Sequence, residues 1–239
     1  NKNKAVLSDK GTRLNIQNGD ANYEKLIKFS KSWRALDERL FDGKFFKKVF
    51  IENKEIFKYK GLIFENFEYD KGYNDYSRFS PEFLSKLKRK FIEFFKIKHL
   101  KHYFNFYPKS IIIYPIINIA LSKFGYEVPI HTDNRYKVLV GLIYLNTLED
   151  GIGGETIFHK LKNKKELKDC RRYEENTEII KKIKPKKNKL VVFLNSNDSY
   201  HSVSSLKKST DRNFIYFSFA VKNYENVWKT NYKVIDGGV

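Results

Sequence analysis

The segment PIHTDNRYKVLVGLIYLN, residues 129–146, places a His and an Asp two positions apart, just ahead of a long apolar run. In a β-strand, residues i and i+2 point to the same face, so His131 and Asp133 would project together while Thr132 turns away. One neutral imidazole and one carboxylate on one face supply two of the three protein ligands of a mononuclear metal site. The segment therefore predicts a third ligand, another His, delivered by a distant strand.

The candidate for this third ligand is His201. It follows the run NKLVVFLNSNDSY at 188–200, in which an apolar strand ends in a polar turn. Two His and one carboxylate on one side of a metal form the facial triad of non-haem Fe(II) oxygenases, which leaves positions open for a co-substrate and O2. The sequence thus predicts that His131, Asp133 and His201 converge on one metal ion.

Eleven residues after His201, Arg212 opens the apolar run RNFIYFSFAV. A guanidinium in an apolar strand is costly unless it meets an anion. Its planar fork pairs bidentately with a carboxylate. We therefore expect Arg212 to bind the far end of a dicarboxylate.

The pattern of apolar residues predicts helices first and strands afterwards. Helical spacing over 22–40, with Asn22 as a cap, predicts one helix, and Ser80 with Pro81 begins another. Residues 41–79 are rich in aromatics and glycine, which favours short strands and loops. Apolar and β-branched runs predict six strands, at 111–121, 136–145, 155–158, 178–184, 189–194 and 212–221.

Many short strands after a helical region favour a mainly β protein, a jelly roll or barrel flanked by helices. We expect residues 1–105 to be a helical or mixed support region packed on a core formed by 106–239, in one compact domain. The Lys-rich segment 159–189 is predicted to be a solvated excursion, with a lid over the substrate and a loop without a role both left open.

The motifs, in their order, carry a family resemblance. They are HTD at 131–133, LIYLN at 142–146, GGET at 153–156, PKKNKLVVF at 185–193, then His201 and Arg212. Over roughly residues 115–222 the chain resembles the prolyl 4-hydroxylase-like branch of the 2-oxoglutarate- and Fe(II)-dependent oxygenases. GGET by itself is interpreted as a turn that enters a strand, and His159 behind it as a surface residue.

The resemblance implies a double-stranded β-helix, a cupin-like jelly roll, with Fe(II) bound by His131, Asp133 and His201. It also implies that Arg212, joined by Tyr144, binds the distal carboxylate of 2-oxoglutarate. The implied reaction hydroxylates a C–H bond with O2 and releases succinate and CO2, with ascorbate as a candidate additional cofactor. A non-catalytic jelly-roll binding protein and a nucleic-acid demethylase of the same superfamily are the alternatives.

Two departures from the family pattern concern the substrate side. The family often has a Tyr about ten residues before the HxD histidine, where this chain has Leu121 and Ser122. Tyr126 is a candidate to do similar work from a different position. The residue two after the Arg is often Ser, and here it is Phe214. The departures leave the substrate open, including whether it is prolyl.

The amino-acid composition restricts which binding partners and which cellular compartment we expect. The 239 residues include 47 Lys and Arg against 28 Asp and Glu, a net charge of +19 spread along the whole chain. This spread indicates a Lys-rich bias rather than a nucleic-acid groove, so we expect a small-molecule or peptidyl substrate, with nucleic acid not excluded. The single Cys170 suits a reducing, cytoplasmic setting, and we expect no secretory signal and no membrane partner.

Overall fold

The computed structural model describes residues 6–8, 13–62, 67–69, 111–162, 174–207 and 210–221. The predicted helix at Ser80 and the predicted boundary between residues 105 and 106 lie outside these ranges. The boundary stays a prediction.

Four helices lie between residues 21 and 59. They are α1 (Ala21–Phe29), α2 (Lys31–Phe41), α3 (Lys44–Glu52) and α4 (Lys54–Tyr59). The helix predicted over 22–40 is interrupted at Ser30, whose extended backbone ends α1 and whose Oγ accepts a hydrogen bond from the Trp33 amide. Asn22 lies inside α1, and Asp20 takes the cap position, so the predicted cap was wrong.

Helices α3 and α4 overturn the prediction of short strands and loops for residues 44–59, whereas the short strand Phe67–Tyr69 agrees with it. Phe46, Phe50 and Phe57 are the buried residues of these two helices, and the first two are one helical turn apart. That spacing places both rings on one face, where they stack at 6.0 Å between centroids. Gly43, with φ 74°, begins α3 rather than interrupting a strand.

Eleven strands account for most of the remaining described residues. They are β1 (Val6–Ser8), β2 (Arg13–Gln17), β3 (Phe67–Tyr69), β4 (Ile111–Ser122), β5 (Val128–His131), β6 (Lys137–Tyr144), β7 (Thr156–Leu161), β8 (Thr177–Ile183), β9 (Leu190–Leu194), β10 (His201–Val203) and β11 (Arg212–Val221). All six predicted strands are present. No helix among the described residues is long and apolar enough to cross a membrane.

The strands form two sheets. One has the order β1-β2-β4-β11-β6-β9, with β3 parallel to β4, and the other has the order β5-β10-β7-β8. From β4 onward the chain passes repeatedly from one sheet to the other, as in a jelly roll. The predicted double-stranded β-helix with N-terminal helices is confirmed.

Strand β11 divides the two layers of the core. Its odd-numbered residues, such as Ile215 and Phe217, pack in one cluster with Phe46 and Phe50 of the helices. Its even-numbered residues Phe214 and Tyr216 pack in a second cluster, with residues that include Phe158 of the other sheet. The period of two along one strand thus separates a helix-facing core from the interior between the sheets.

The predicted excursion at 159–189 is smaller than the sequence indicates. Strands β7 and β8 form an antiparallel hairpin, and β8 exposes five consecutive side chains, from Glu178 to Lys182. The edge position of β8 explains why its sequence reads as solvated although it is a strand. Residues 163–173 lie outside the described ranges, so the lid stays a prediction.

Gly141 is required opposite a large ring. It pairs with Phe217 across β6 and β11, and a Cβ at this position would overlap that ring. Gly141→Ala should therefore destabilise the fold by about 1–3 kcal/mol, in spite of the lower chain entropy of Ala. Urea unfolding measures this cost. Adding Phe217→Leu should recover part of it, and strictly additive costs in the double variant would contradict the overlap.

Candidate active site

The three side chains predicted to bind a metal lie together at the β5–β10 side of the four-stranded sheet. Strands β5 and β10 pair with His201 opposite His131, and the two ring centroids are 4.4 Å apart. Asp133 Oδ2 is 3.7 Å from His201 Nε2, and one ligand atom of each residue lies within 4.8 Å of the others. Strand β5 ends at His131, so Asp133 stands in the following loop instead of the strand that the sequence predicts.

Backbone carbonyls orient both histidines in the same way. His131 Nδ1 lies 2.8 Å from the Pro129 carbonyl, and His201 Nδ1 lies 3.0 Å from the Ser199 carbonyl. A carbonyl can only accept, so the proton is assigned to Nδ1 and the lone pair to Nε2. Burial, followed by the nearby His131, lowers the pKa of His201 to about 4. His201 is therefore neutral at pH 7, as a metal ligand must be.

Lys137 holds one oxygen of the Asp133 carboxylate. Its Nζ donates to Oδ1 at 2.9 Å, while the Tyr216 hydroxyl lies 3.4 Å from Oδ2. Burial alone would raise the pKa of Asp133, but Lys137 and the two histidines outweigh it and hold that pKa well below its usual range. Asp133 is thus ionised, with Oδ1 engaged by Lys137 and Oδ2 turned toward His201.

Asn195 fixes the loop that carries Asp133, and sequence reasoning missed it. Its Nδ2 donates to the carbonyls of Asp133, Asn134 and Lys137 at 3.2, 2.9 and 2.9 Å. Asn195 is buried and directly follows β9, so it ties the loop to the neighbouring strand. An Asn after an apolar strand predicts a turn, and nothing in its spacing indicates contact with a loop sixty residues earlier.

Arg212 lies buried at the other end of the interior, 1% exposed. Its Nε donates to the Gly154 carbonyl at 2.8 Å and its Nη2 to Thr156 Oγ1 at 3.1 Å. The buried Nη1 has no hydrogen-bond partner among the described residues. Burial lowers the pKa of Arg212, and the tyrosines Tyr144 and Tyr126 partly offset this effect. The guanidinium therefore keeps one donor available for a ligand.

Both tyrosines predicted to join Arg212 adjoin its guanidinium. The guanidinium carbon lies 5.3 Å from the ring centroid of Tyr144 and 5.9 Å from that of Tyr126. The Tyr144 hydroxyl forms a 2.7 Å hydrogen bond with Thr156 Oγ1, which Arg212 also contacts. The structure thus brings Arg212, Tyr144 and Tyr126 into one buried cluster.

The GGET segment is the predicted turn into a strand, and it also contacts Arg212. Gly153 and Gly154 have φ of 89° and 77°, a region that L side chains rarely adopt. This turn directs the Gly154 carbonyl and the Thr156 hydroxyl at the same guanidinium. Sequence reasoning did not predict these contacts, because the motif alone indicates only a turn.

One face of β11 connects the two ends of the site. Arg212, Phe214 and Tyr216 alternate along it, with Arg212 at one end and Tyr216 beside Asp133 at the other. Four residues of strand correspond to about 13 Å. On the opposite sheet, Thr156 contacts Arg212 and Phe158 lies 6.4 Å from the His201 ring. The interior between the sheets therefore runs from Arg212 to the histidines.

The other histidine of the described residues, His159, lies outside this group. His159 is 5% exposed and its Nε2 lies 2.8 Å from Ser202 Oγ, so the prediction of a surface residue was wrong. It belongs to β7, next to the interior-facing Phe158, and its side chain therefore points to the opposite face of the sheet. His99 and His102 lie outside the described residues.

Asn195→Ala should weaken metal binding by about 10- to 100-fold, because it frees the loop that positions Asp133. Competition with a chelating dye measures the affinity for Mn(II). Asn146→Ala is the matched control, because Asn146 likewise holds a loop by donating to a carbonyl, that of Asp211, at 2.7 Å. Equal loss of affinity in both variants would show that Asn195 has no specific effect on the metal ligands.

Comparison with known proteins gives one family. The family model described as the 2OG-Fe(II) oxygenase superfamily matches residues 117–219. No curated protein matches the chain in a sequence comparison.

Three similar solved structures come from different organisms. An oxidoreductase of the 2OG-Fe(II) oxygenase family from Burkholderia pseudomallei is 12% identical over 56% of this chain and 57% of its own, with a TM-score of 0.33. A prolyl hydroxylase from Trichoplax adhaerens, in complex with a hypoxia inducible factor peptide fragment, is 18% identical over 56% and 58%, with a TM-score of 0.37. A prolyl-4-hydroxylase from Pseudomonas putida is 15% identical over 63% and 68%, with a TM-score of 0.31.

The aligned part spans just over half the length of the first of these structures. The family match includes all of His131, Asp133, Tyr144, His201 and Arg212, which are the residues that carry the resemblance in the sequence. The predicted resemblance is confirmed: residues 117–219 match the model of the 2OG-Fe(II) oxygenase superfamily.

Proposed function

We propose that this protein is an Fe(II)- and 2-oxoglutarate-dependent dioxygenase that hydroxylates a C–H bond of its substrate and releases succinate and CO2. The observation that carries the proposal is that a candidate metal site and a candidate anion site line the same interior between the two sheets. A His–Asp–His group lies at one end, and a buried guanidinium with one unpaired donor lies at the other.

The donor set of His131, Asp133 and His201 fits Fe(II). Two neutral imidazole nitrogens suit this ion, and one carboxylate cancels part of its charge. When bound, Fe(II) supplies the activation of O2, which no side chain can perform. The protein's part is to orient the donors: carbonyls hold both imidazoles, and Lys137 and the Asn195 loop hold the carboxylate.

Arg212 fits the distal carboxylate of 2-oxoglutarate. Its Nη1 is buried without a partner, and a carboxylate would satisfy that donor with a charge-assisted hydrogen bond. Tyr144 and Tyr126 line the same cluster and would exclude water from it. The opposite end of the co-substrate would then face the histidines along the interior face of β11.

The substrate is proposed at the level of class. A small molecule or a peptide fits the superfamily, and the Trichoplax adhaerens structure includes a peptide. A role for ascorbate, which rests on the resemblance, and a cytoplasmic location, which rests on composition, are also parts of the proposal.

A divalent metal should stabilise the folded protein. At a free concentration of one hundred times its Kd, Mn(II) would contribute about 2.7 kcal/mol, which corresponds to a rise in Tm of about 5–10 °C for a chain of this size. Asp133→Ala should abolish this rise. Asp150→Asn, which alters an exposed carboxylate paired with Lys184, should retain it. An undiminished rise in Asp133→Ala would place the metal elsewhere.

Arg212→Ala should weaken 2-oxoglutarate binding at least tenfold, because losing a buried, charge-assisted contact costs about 2–5 kcal/mol. Isothermal titration in the presence of Mn(II) measures the affinity. The Mn(II) affinity itself should change little, since Arg212 is not among the metal-binding residues. Unchanged affinity for 2-oxoglutarate would mean that Arg212 is only structural.

The dioxygenase, the non-catalytic jelly roll and the nucleic-acid demethylase predict different results in an assay for succinate formation. Formation of succinate from 2-oxoglutarate, with Fe(II) and O2, supports the dioxygenase, and its loss in Asp133→Ala links it to the proposed ligands. Metal and 2-oxoglutarate binding without any succinate, across peptide, small-molecule and methylated nucleic-acid substrates, would favour the non-catalytic jelly roll. Succinate formation stimulated by methylated DNA or RNA alone would favour the demethylase.

A further inference from the structure

A second guanidinium lies beside the co-substrate cluster, on a strand outside the family match. In the larger sheet, Ser122 of β4 pairs with Arg212 of β11 on one side and with Arg13 of β2 on the other. Directly opposed residues of antiparallel strands project from the same face of the sheet. Arg13, Ser122 and Arg212 therefore form a row of three polar side chains across one face.

The two arginines contact the same aromatic side chains. The Arg13 guanidinium carbon lies 5.2 Å from the ring centroid of Phe214 and 5.9 Å from that of Tyr126. For Arg212 the corresponding distances are 4.2 and 5.9 Å. Arg13 Nη1 also donates to the Tyr126 hydroxyl at 3.3 Å. Phe214, at the position where the family pattern often has Ser, thus serves as a stacking surface for both cations.

Each member of the row has an unsatisfied buried atom. Arg13 Nε, Ser122 Oγ and Arg212 Nη1 are all buried, and none of them has a hydrogen-bond partner in the part of the chain that the structure describes. Within the described part of the chain, neither arginine forms an ion pair with a carboxylate. Two cations beside the same rings repel each other when water is excluded, and buried donors without partners are costly. An anion would relieve both effects at once.

We propose that Arg13 is a second binding residue for the distal carboxylate of the co-substrate, with Ser122 as a third donor between the two arginines. This inference rests on the proposed function, because it concerns the anion held at Arg212. Two guanidiniums favour a co-substrate with a terminal negative charge over one of the same length without it. The specificity for a dicarboxylate is thereby shared between the family segment and the N-terminal strand.

The test compares two ligands that differ in that charge. Isothermal titration of the full chain with Mn(II) gives the affinities for 2-oxoglutarate and for 2-oxopentanoate, which has the same carbon chain but no distal carboxylate. In Arg13→Gln, the preference for 2-oxoglutarate should fall about tenfold, the scale of one charge-assisted contact. Arg212→Ala should reduce the same preference. Arg39→Gln, which removes one exposed guanidinium from α2, should leave it unchanged.

Each outcome decides between a binding role and a structural one. An unchanged preference in Arg13→Gln, with a reduced preference in Arg212→Ala, would overturn the role of Arg13 and leave the proposed function standing. Equal loss for both ligands would make Arg13 merely structural. Wild-type protein that binds no 2-oxoglutarate would overturn the proposed co-substrate and this inference together. Circular dichroism checks folding, and if Arg13→Gln does not fold, Arg13→Lys carries the test with an expected fall of about threefold.

Discussion

The two-sided pairing of β11 is the constraint on which the rest of the structure depends. This strand pairs with β4 over ten residues on one side and with β6 on the other, so its register is fixed twice. A slip of one residue would turn Phe217 into the interior and Arg212 toward the helices. The helix-facing core and the site therefore cannot be varied independently, because alternate residues of one strand build both.

The electrostatics of the site follow from its burial. Asp133 forms an ion pair with Lys137, so the negative charge at that end is compensated without a ligand. The Arg212 end carries positive charge with unsatisfied donors and no carboxylate from the described chain. The first end offers two imidazoles and a carboxylate to a metal ion, and the second suits an anion. A molecule that binds along β11 would therefore be oriented with its metal-binding end at the histidines and its anionic end at Arg212.

Much of this arrangement could be predicted from the sequence. The strands of the jelly roll are apolar runs, and His131, Asp133, His201 and Arg212 stand in a recognisable order. What could not be predicted depends on pairing between distant segments. Lys137 and Asn195 act through contacts made by a loop, and Gly154 acts through a backbone carbonyl. The helices after residue 40 were missed because aromatics favour strands and glycines favour loops locally, whereas packing against the sheet decides their structure.

The row formed by Arg13, Ser122 and Arg212 has a consequence for how the protein folds. Arg13 and Arg212 are 199 residues apart in the sequence (212 − 13), yet the three members of the row lie on neighbouring strands of one sheet. Closing such long loops is entropically costly, and topologies dominated by distant contacts fold slowly. A chain emerging during synthesis exposes Arg13 long before its partners exist. The row can therefore form only after β11 has docked against β4, which requires nearly all of the described chain to have been synthesised.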